Sequence, residues 1–102
     1  MPRKYYVEVD MQGRFVGYSD DALDLIGYTR EEMEGSNVFD VVEDLDVLLE
    51  AIEGGGSVGT EYDINLIHKD GHTIPVRVYP EVQMRNGEFF RVKCAFHVIS
   101  VG

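Results

Sequence analysis

The stretch DMQGRFVGYSDDALDLIGYTREEMEGSNVFDVV, running from Asp10 to Val42, decides the fold, because a strand, a tight turn, a second strand and three short helices follow one another within it. An apolar alternation of Tyr5, Val7 and Val9 leads into Asp10-Met11-Gln12-Gly13, where a glycine that accepts positive φ closes a turn. Phe15 to Tyr18 then resumes in strand-forming residues, which predicts a β-hairpin. Ser19, Asp20 and Asp21 offer a helix cap and negative charge at the positive end of the helix dipole. Ala22, Leu25 and Ile26 share one helical face until Gly27 stops the run. Thr29-Arg30-Glu31-Glu32 fits a capping box, in which hydroxyl and carboxylate each satisfy an orphan backbone N–H; the helix it opens stops at Gly35.

From Asn37 to Ile52 the apolar residues Val41, Leu45, Leu48, Leu49 and Ile52 keep helical spacing with acidic residues between them, and Gly54-Gly55-Gly56 closes the segment. The period then changes to two. Val58, Thr60, Tyr62, Ile64 and Leu66 alternate with Glu61, Asp63 and Asn65, so one face is apolar and the other wet. Lys69-Asp70-Gly71 reads as a turn, after which Ile74, Val76 and Val78 alternate with Thr73, Pro75, Arg77 and Tyr79. Asn86-Gly87 is the strongest short hairpin signal in the chain, and Phe90, Val92, Cys94, Phe96 and Val98 form the last apolar row. Pro75 and Pro80 lack ladder donors, which predicts bulges or edge exposure in their strand. The expected class is α+β, with helices packed on one face of an antiparallel sheet.

Taken together, these pieces resemble a PAS domain, the small sensory and dimerisation module of signalling proteins. The resemblance rests on Asp10 with Gly13, Phe15 to Tyr18, Ala22 with Leu25 and Ile26, Gly27-Tyr28, Glu32, Gly35, the Lys69-Asp70-Gly71 hairpin and the final strand, so it covers nearly the whole chain. Ser19 stands where the family often has Asn, and both types cap a helix. The resemblance implies a PAS-like (profilin-like) five-stranded antiparallel sheet with short helices on one face. Residues 1–102 would be one such domain, a fragment of a longer cytoplasmic signal-transduction protein such as a histidine kinase or a transcriptional regulator. Its implied mechanism converts ligand occupancy or partner contact into a shift of the last strand, relayed to a C-terminal effector domain. A ligand-free homodimerisation scaffold is the alternative.

Length and composition fit one compact domain. The lone Cys94 excludes an intrachain disulfide, no apolar run approaches a membrane span, and the N-terminus lacks a signal-peptide pattern; together these predict a cytoplasmic protein without a membrane partner. Charge is uneven: residues 20–53 hold twelve Asp or Glu against the single Arg30, whereas the remainder is nearly balanced. Such a surface repels a phosphate backbone, which argues against direct nucleic-acid binding. A solvated helix face accounts for these charges, and salt adaptation would give the same acidity with more Arg than Lys. The near-neutral sheet offers the better partner surface, and Phe89, Ala95, His97 and Ile99 on its outer face are the expected homodimer contacts.

No catalytic constellation is legible. No serine sits in a nucleophile elbow, and Cys94 is expected to be an inert core thiol. Gly54 to Gly59 lacks a following Lys and precedes a strand, so a phosphate loop is not expected. His68 and His72 flank a turn, yet two histidines without a third ligand make a weak site, and no metal is assigned. The chain reads as a non-enzyme. Within the family resemblance, flavin-binding LOV domains carry Gly, any residue, Asn, Cys, Arg at the start of one helix. Here Gly35-Ser36-Asn37-Val38-Phe39 lies in register, with Val38 for the photoactive Cys and Phe39 for the phosphate-binding Arg. Covalent flavin is thereby excluded, and Asp40 disfavours noncovalent flavin. Haem is disfavoured because residues 36–56 contain no His to serve as the axial ligand. An apolar space between helix and sheet fits a small-molecule pocket and a filled core equally, with Tyr28, Asn37, Phe39, Leu45, Leu49, Tyr62, Val76, Phe90 and Phe96 as pocket candidates.

Overall fold

Gly13 at φ +80° closes the first hairpin as its sequence requires, joining β1 (Tyr5–Asp10) to β2 (Phe15–Tyr18) in this computed structural model, which describes residues 4–53 and 61–99. Ser19 then caps α1 (Asp20–Ile26) by accepting from the Ala22 N–H, and Gly27 ends it in the left-handed region at φ +77°. The Thr29–Glu32 capping box forms and opens α2 (Arg30–Glu34). Ala22, Leu23 and Ile26 form the buried face of α1; Leu25, expected there, is only half-buried, and Leu23 takes its place.

The helical run after Asn37 is interrupted. It divides into α3 (Val38–Val41) and α4 (Leu45–Glu53), because the intervening residues turn to the sheet for partners. Val42 adopts extended backbone and bridges Leu66, the Glu43 N–H donates to the Asn65 carbonyl at 2.9 Å, and Asp44 accepts from the Asn65 backbone and side chain at 2.8 and 3.0 Å. β-Branched Val41 and Val42 yield readily to that pull. Val58, Thr60 and the three glycines lie outside the described residues, as does the Ile52 side chain.

β3 (Tyr62–Ile67), β4 (Thr73–Arg85) and β5 (Glu88–Val98) complete an antiparallel sheet in the order β2-β1-β5-β4-β3, with β5 at its centre. Asn86 at φ 53° and Gly87 at φ 78° make the β4–β5 turn with both central residues left-handed, as a two-residue hairpin demands. The bulge expected at the prolines falls instead between Gln83 and Met84. Pro75 stays in register at the end of β5, where its carbonyl accepts from the Ile99 N–H at 2.9 Å. Pro80 lies past the last β3–β4 pair, Tyr62 with Val78, so its missing donor faces no described strand.

All four helices pack on one face of this sheet. One continuous core results, with Ala22, Met33, Val76 and Val92 fully excluded from solvent and, among the described residues, no buried polar side chain. No helix among the described residues is long and apolar enough to cross a membrane.

Candidate functional site

Two surfaces offer themselves, the interior between helices and sheet and the outer face of the sheet. The interior holds a cavity of about 40 Å³ whose lining is entirely apolar. Val38, Val41 and Val42 reach it from the helical side, and Ile64, Val78 and Phe96 from the sheet. A dry apolar space of that size is smaller than the roughly 150 Å³ cavity that accepts benzene. Cys94 also faces it, and burial pushes this thiol up to about 12, so it lines the cavity as a neutral hydrophobe.

Of the nine residues expected to surround a pocket, only Phe96 lines this cavity. Val76 is fully buried elsewhere in the core, while Leu45, Tyr28 and Tyr62 pack half-buried against its edge. Tyr28 lies 5.8 Å beneath the Lys69 ammonium. Phe39 and Leu49 point away from the interior at 48 % and 43 % exposure, Phe39 because Val38 and Val41, three apart, already occupy the inward face of α3, and Leu49 because Leu48 takes the inward place on α4. The two line a neighbouring groove of about 130 Å³ with Met11, Val38 and Leu48. Phe90 is the unpaired residue of the β4–β5 bulge, between Phe89 opposite Met84 and Arg91 opposite Gln83, with the Arg85 and Arg91 guanidiniums at 4.1 and 4.2 Å from its ring. Val98, also expected inside, is 38 % exposed at the end of β5.

Asn37 is occupied by the fold itself. Its Oδ1 accepts from the Phe39 N–H at 3.1 Å as the α3 cap, and its Nδ2 donates to the Gln12 carbonyl at 2.8 Å. The Val38 N–H donates to the Gly13 carbonyl at 2.8 Å, so the first hairpin and α3 are tied at this one junction. Both polar atoms of the Asn37 side chain are thus engaged by the fold.

The outer face is built differently. Because Val78, Val92, Cys94 and Phe96 turn inward, their neighbours in sequence turn out, and strand register then places Tyr6, Ala95 and Tyr79 in one row across β1, β5 and β4. Ala95 is the small, exposed member between two phenol rings. One row along, Lys93 sits between Glu8 and Glu81 with its ammonium 4.8 Å from the Tyr6 ring. On the other side, Arg77 pairs with Asp63 at 2.8 Å and lies beside exposed His97. The Arg77 hydrogen bond holds the Asp63 carboxyl below its ordinary range, and the His97 Nδ1 stands 3.4 Å from the Tyr79 hydroxyl. A small apolar row flanked by charges of both signs thus crosses the middle of the sheet.

Of the expected dimer contacts, Ala95 and His97 lie on this face, and Ile99 follows half-buried just past β5. Phe89 pairs with Met84 at the far end of the strand, and its side chain lies outside the described residues. Tyr6 and Tyr79 were missed by the sequence reading. Their parity was visible, but only the register brings them to Ala95.

Comparison with known proteins follows the same architecture. The sequence profile of the PAS domain family matches residues 3–99, whereas no curated protein matches. Among solved structures, a PAS domain from a two-component sensor histidine kinase superposes with a TM-score of 0.79 at 12 % identity, covering 94 % of this chain and 85 % of that one. The PAS domain of an HTR-like protein from Haloarcula marismortui gives 0.76 at 17 % identity, covering 94 % and 81 %. A light-oxygen-voltage domain studied with a flavin analogue gives 0.80 at 18 % identity, covering 97 % and 79 %. In the present chain Val38 lines the cavity, and its isopropyl group supplies no sulfur for a bond to flavin.

Proposed function

This chain belongs to the PAS domain family of sensory signal-transduction modules, and from that premise we propose that it senses by protein contact, with the outer sheet face as the contact surface and β5 as the output. The observation that carries this reading is the interior: its cavity of about 40 Å³ has no polar lining and is too small for a flavin, a haem or a metabolite of ordinary size. The outer face supports it further. It is the near-neutral part of a chain whose excess acidity lies in residues 20–53, so two copies approach there against the least repulsion. Both tyrosines are of the type that anchors interfaces, and Ala95 between them leaves room for a partner's ring.

The proposed occupant is a second copy of this chain, giving a homodimer in the cytoplasm. Because β5 is bonded to β1 on one side and β4 on the other, a change at the outer face displaces a strand coupled to the whole sheet. The relay would run from β5 into a C-terminal effector domain, a histidine kinase or transcription regulator being the expected kinds. A small-molecule sensor is the competing reading, and occupancy decides between them. Native mass spectrometry of the domain purified from its own host is expected to show polypeptide mass alone, as dimer, at every gentle activation energy. A stoichiometric small-molecule adduct released on activation would overturn the contact reading.

A further inference from the structure

We propose that the β3–β4 hairpin holds one divalent transition-metal cation of the zinc type through His68, Asp70 and His72. The turn supplies what two histidines alone lack. Asp70 swings between them, and the three donor atoms lie within 4.8 Å of one another. The Nδ1 atom of His68 stands 3.2 Å from Asp70 Oδ1, close to the edge of about 3.3 Å that a tetrahedral site with metal–nitrogen and metal–oxygen bonds of about 2.0–2.1 Å requires. The His72 Nδ1 meets the same carboxylate oxygen, and the two imidazole rings stack with centroids 4.4 Å apart and planes 18° from parallel. Both Nδ1 atoms thus lie at one carboxylate oxygen; the His68 Nδ1 also accepts from the Asp70 N–H at 3.1 Å, and because near-parallel rings cannot both aim in-plane at one ion, binding would turn the exposed His72 ring toward it.

The surroundings hold this arrangement and favour positive charge. The His68 ring lies against Gly27, where any Cβ would come within 2.7 Å of its Cε1 and Nε2 atoms. The Lys69 N–H donates to the Ile26 carbonyl at 2.9 Å, which docks the turn on the C-terminal end of α1, the negative end of that helix. Lys69 would repel a cation, but its ammonium is turned away into an ion pair with Glu32. Two imidazoles and a single carboxylate suit zinc, nickel or copper, whereas calcium and magnesium need more oxygens than this turn provides. Water would complete the coordination. A bound ion would clamp the β3–β4 turn and, through His68, fasten it to α1.

Titration of tag-free protein with Zn²⁺ by calorimetry, and with Co²⁺ by visible absorption, tests the site. One equivalent is expected. His72→Gln and Asp70→Asn, both exposed and checked for folding by circular dichroism, are expected to weaken binding by about tenfold or more. Glu31→Gln, exposed on α2, is expected to leave it unchanged. Absence of a one-to-one event in the wild type, or equal binding by His72→Gln as the acidic helices alone would give, overturns the proposal.

Discussion

Phe96→Ala is expected to lower the free energy of unfolding by about 3–5 kcal/mol, the range for truncating a buried aromatic. Phe96 is buried on the central strand, stacks on Tyr5 with centroids 5.5 Å apart, and already lines the interior cavity. Removing the ring deletes its own contacts and enlarges a space that neighbouring strands, bonded on both sides, cannot collapse to fill. Domains of this size have roughly 5–15 kcal/mol in hand, so the variant should sit near the threshold of folding. Urea denaturation followed by circular dichroism measures the loss. The enlarged apolar cavity should also take up benzene, raising the variant's midpoint where the wild type shows no response. A loss below about 1 kcal/mol would mean that the site collapses and the interior is not the rigid filled core described above.

The second large effect lies at the junction of Gly13 and Asn37. Gly13→Ala is expected to cost about 2–3 kcal/mol, from a left-handed backbone that alanine resists and from steric displacement of the cap. A Cβ at Gly13 would come within 2.5 Å of Asn37 Oδ1, the atom that caps α3. Asn37→Ala alone removes the cap and the bond to the Gln12 carbonyl, for about 1–2 kcal/mol. The two changes damage the same contacts, so the double variant should lose less than the sum. Chemical denaturation of the four proteins closes the cycle, and strict additivity would show that the hairpin and α3 are not coupled here.

That junction also shows where the sequence was legible. Asn37 was recognisable as polar and well placed, but its commitment to Gln12, distant in the chain, is a tertiary fact. Features written in local chemistry were readable: the Thr29–Glu32 box, the Gly13 and Asn86-Gly87 turns, the alternating inner residues Ile64 and Leu66 of β3 and Ile74, Val76 and Val78 of β4, and the middle of β5 at Val92, Cys94 and Phe96 formed where their residues predict. Features decided by distant partners were not. The break between α3 and α4 is made by Asn65 and Leu66 drawing Glu43, Asp44 and Val42 to the sheet, against an apolar spacing that favours one helix. Phe90 has the parity of an inner residue, yet as the unpaired residue of the bulge, with two flanking guanidiniums, it stands at the rim. On the outer face, Ala95 and His97 followed from alternation, whereas Tyr6 and Tyr79 needed strand register to become their neighbours. Asp70 was read only as a turn residue. Its place between two imidazoles depends on the side-chain geometry of the closed hairpin.

Sedimentation velocity across a range of protein concentration, run on the wild type and on Ala95→Arg at salt high enough to screen the acidic helices, tests the contact reading most directly. A concentration-dependent shift to dimer in the wild type, abolished by a guanidinium set between Tyr6 and Tyr79 without loss of thermal stability, is the predicted result. A wild type that stays monomeric at the highest concentration, or an Ala95→Arg variant that dimerises as well as its parent, would contradict it.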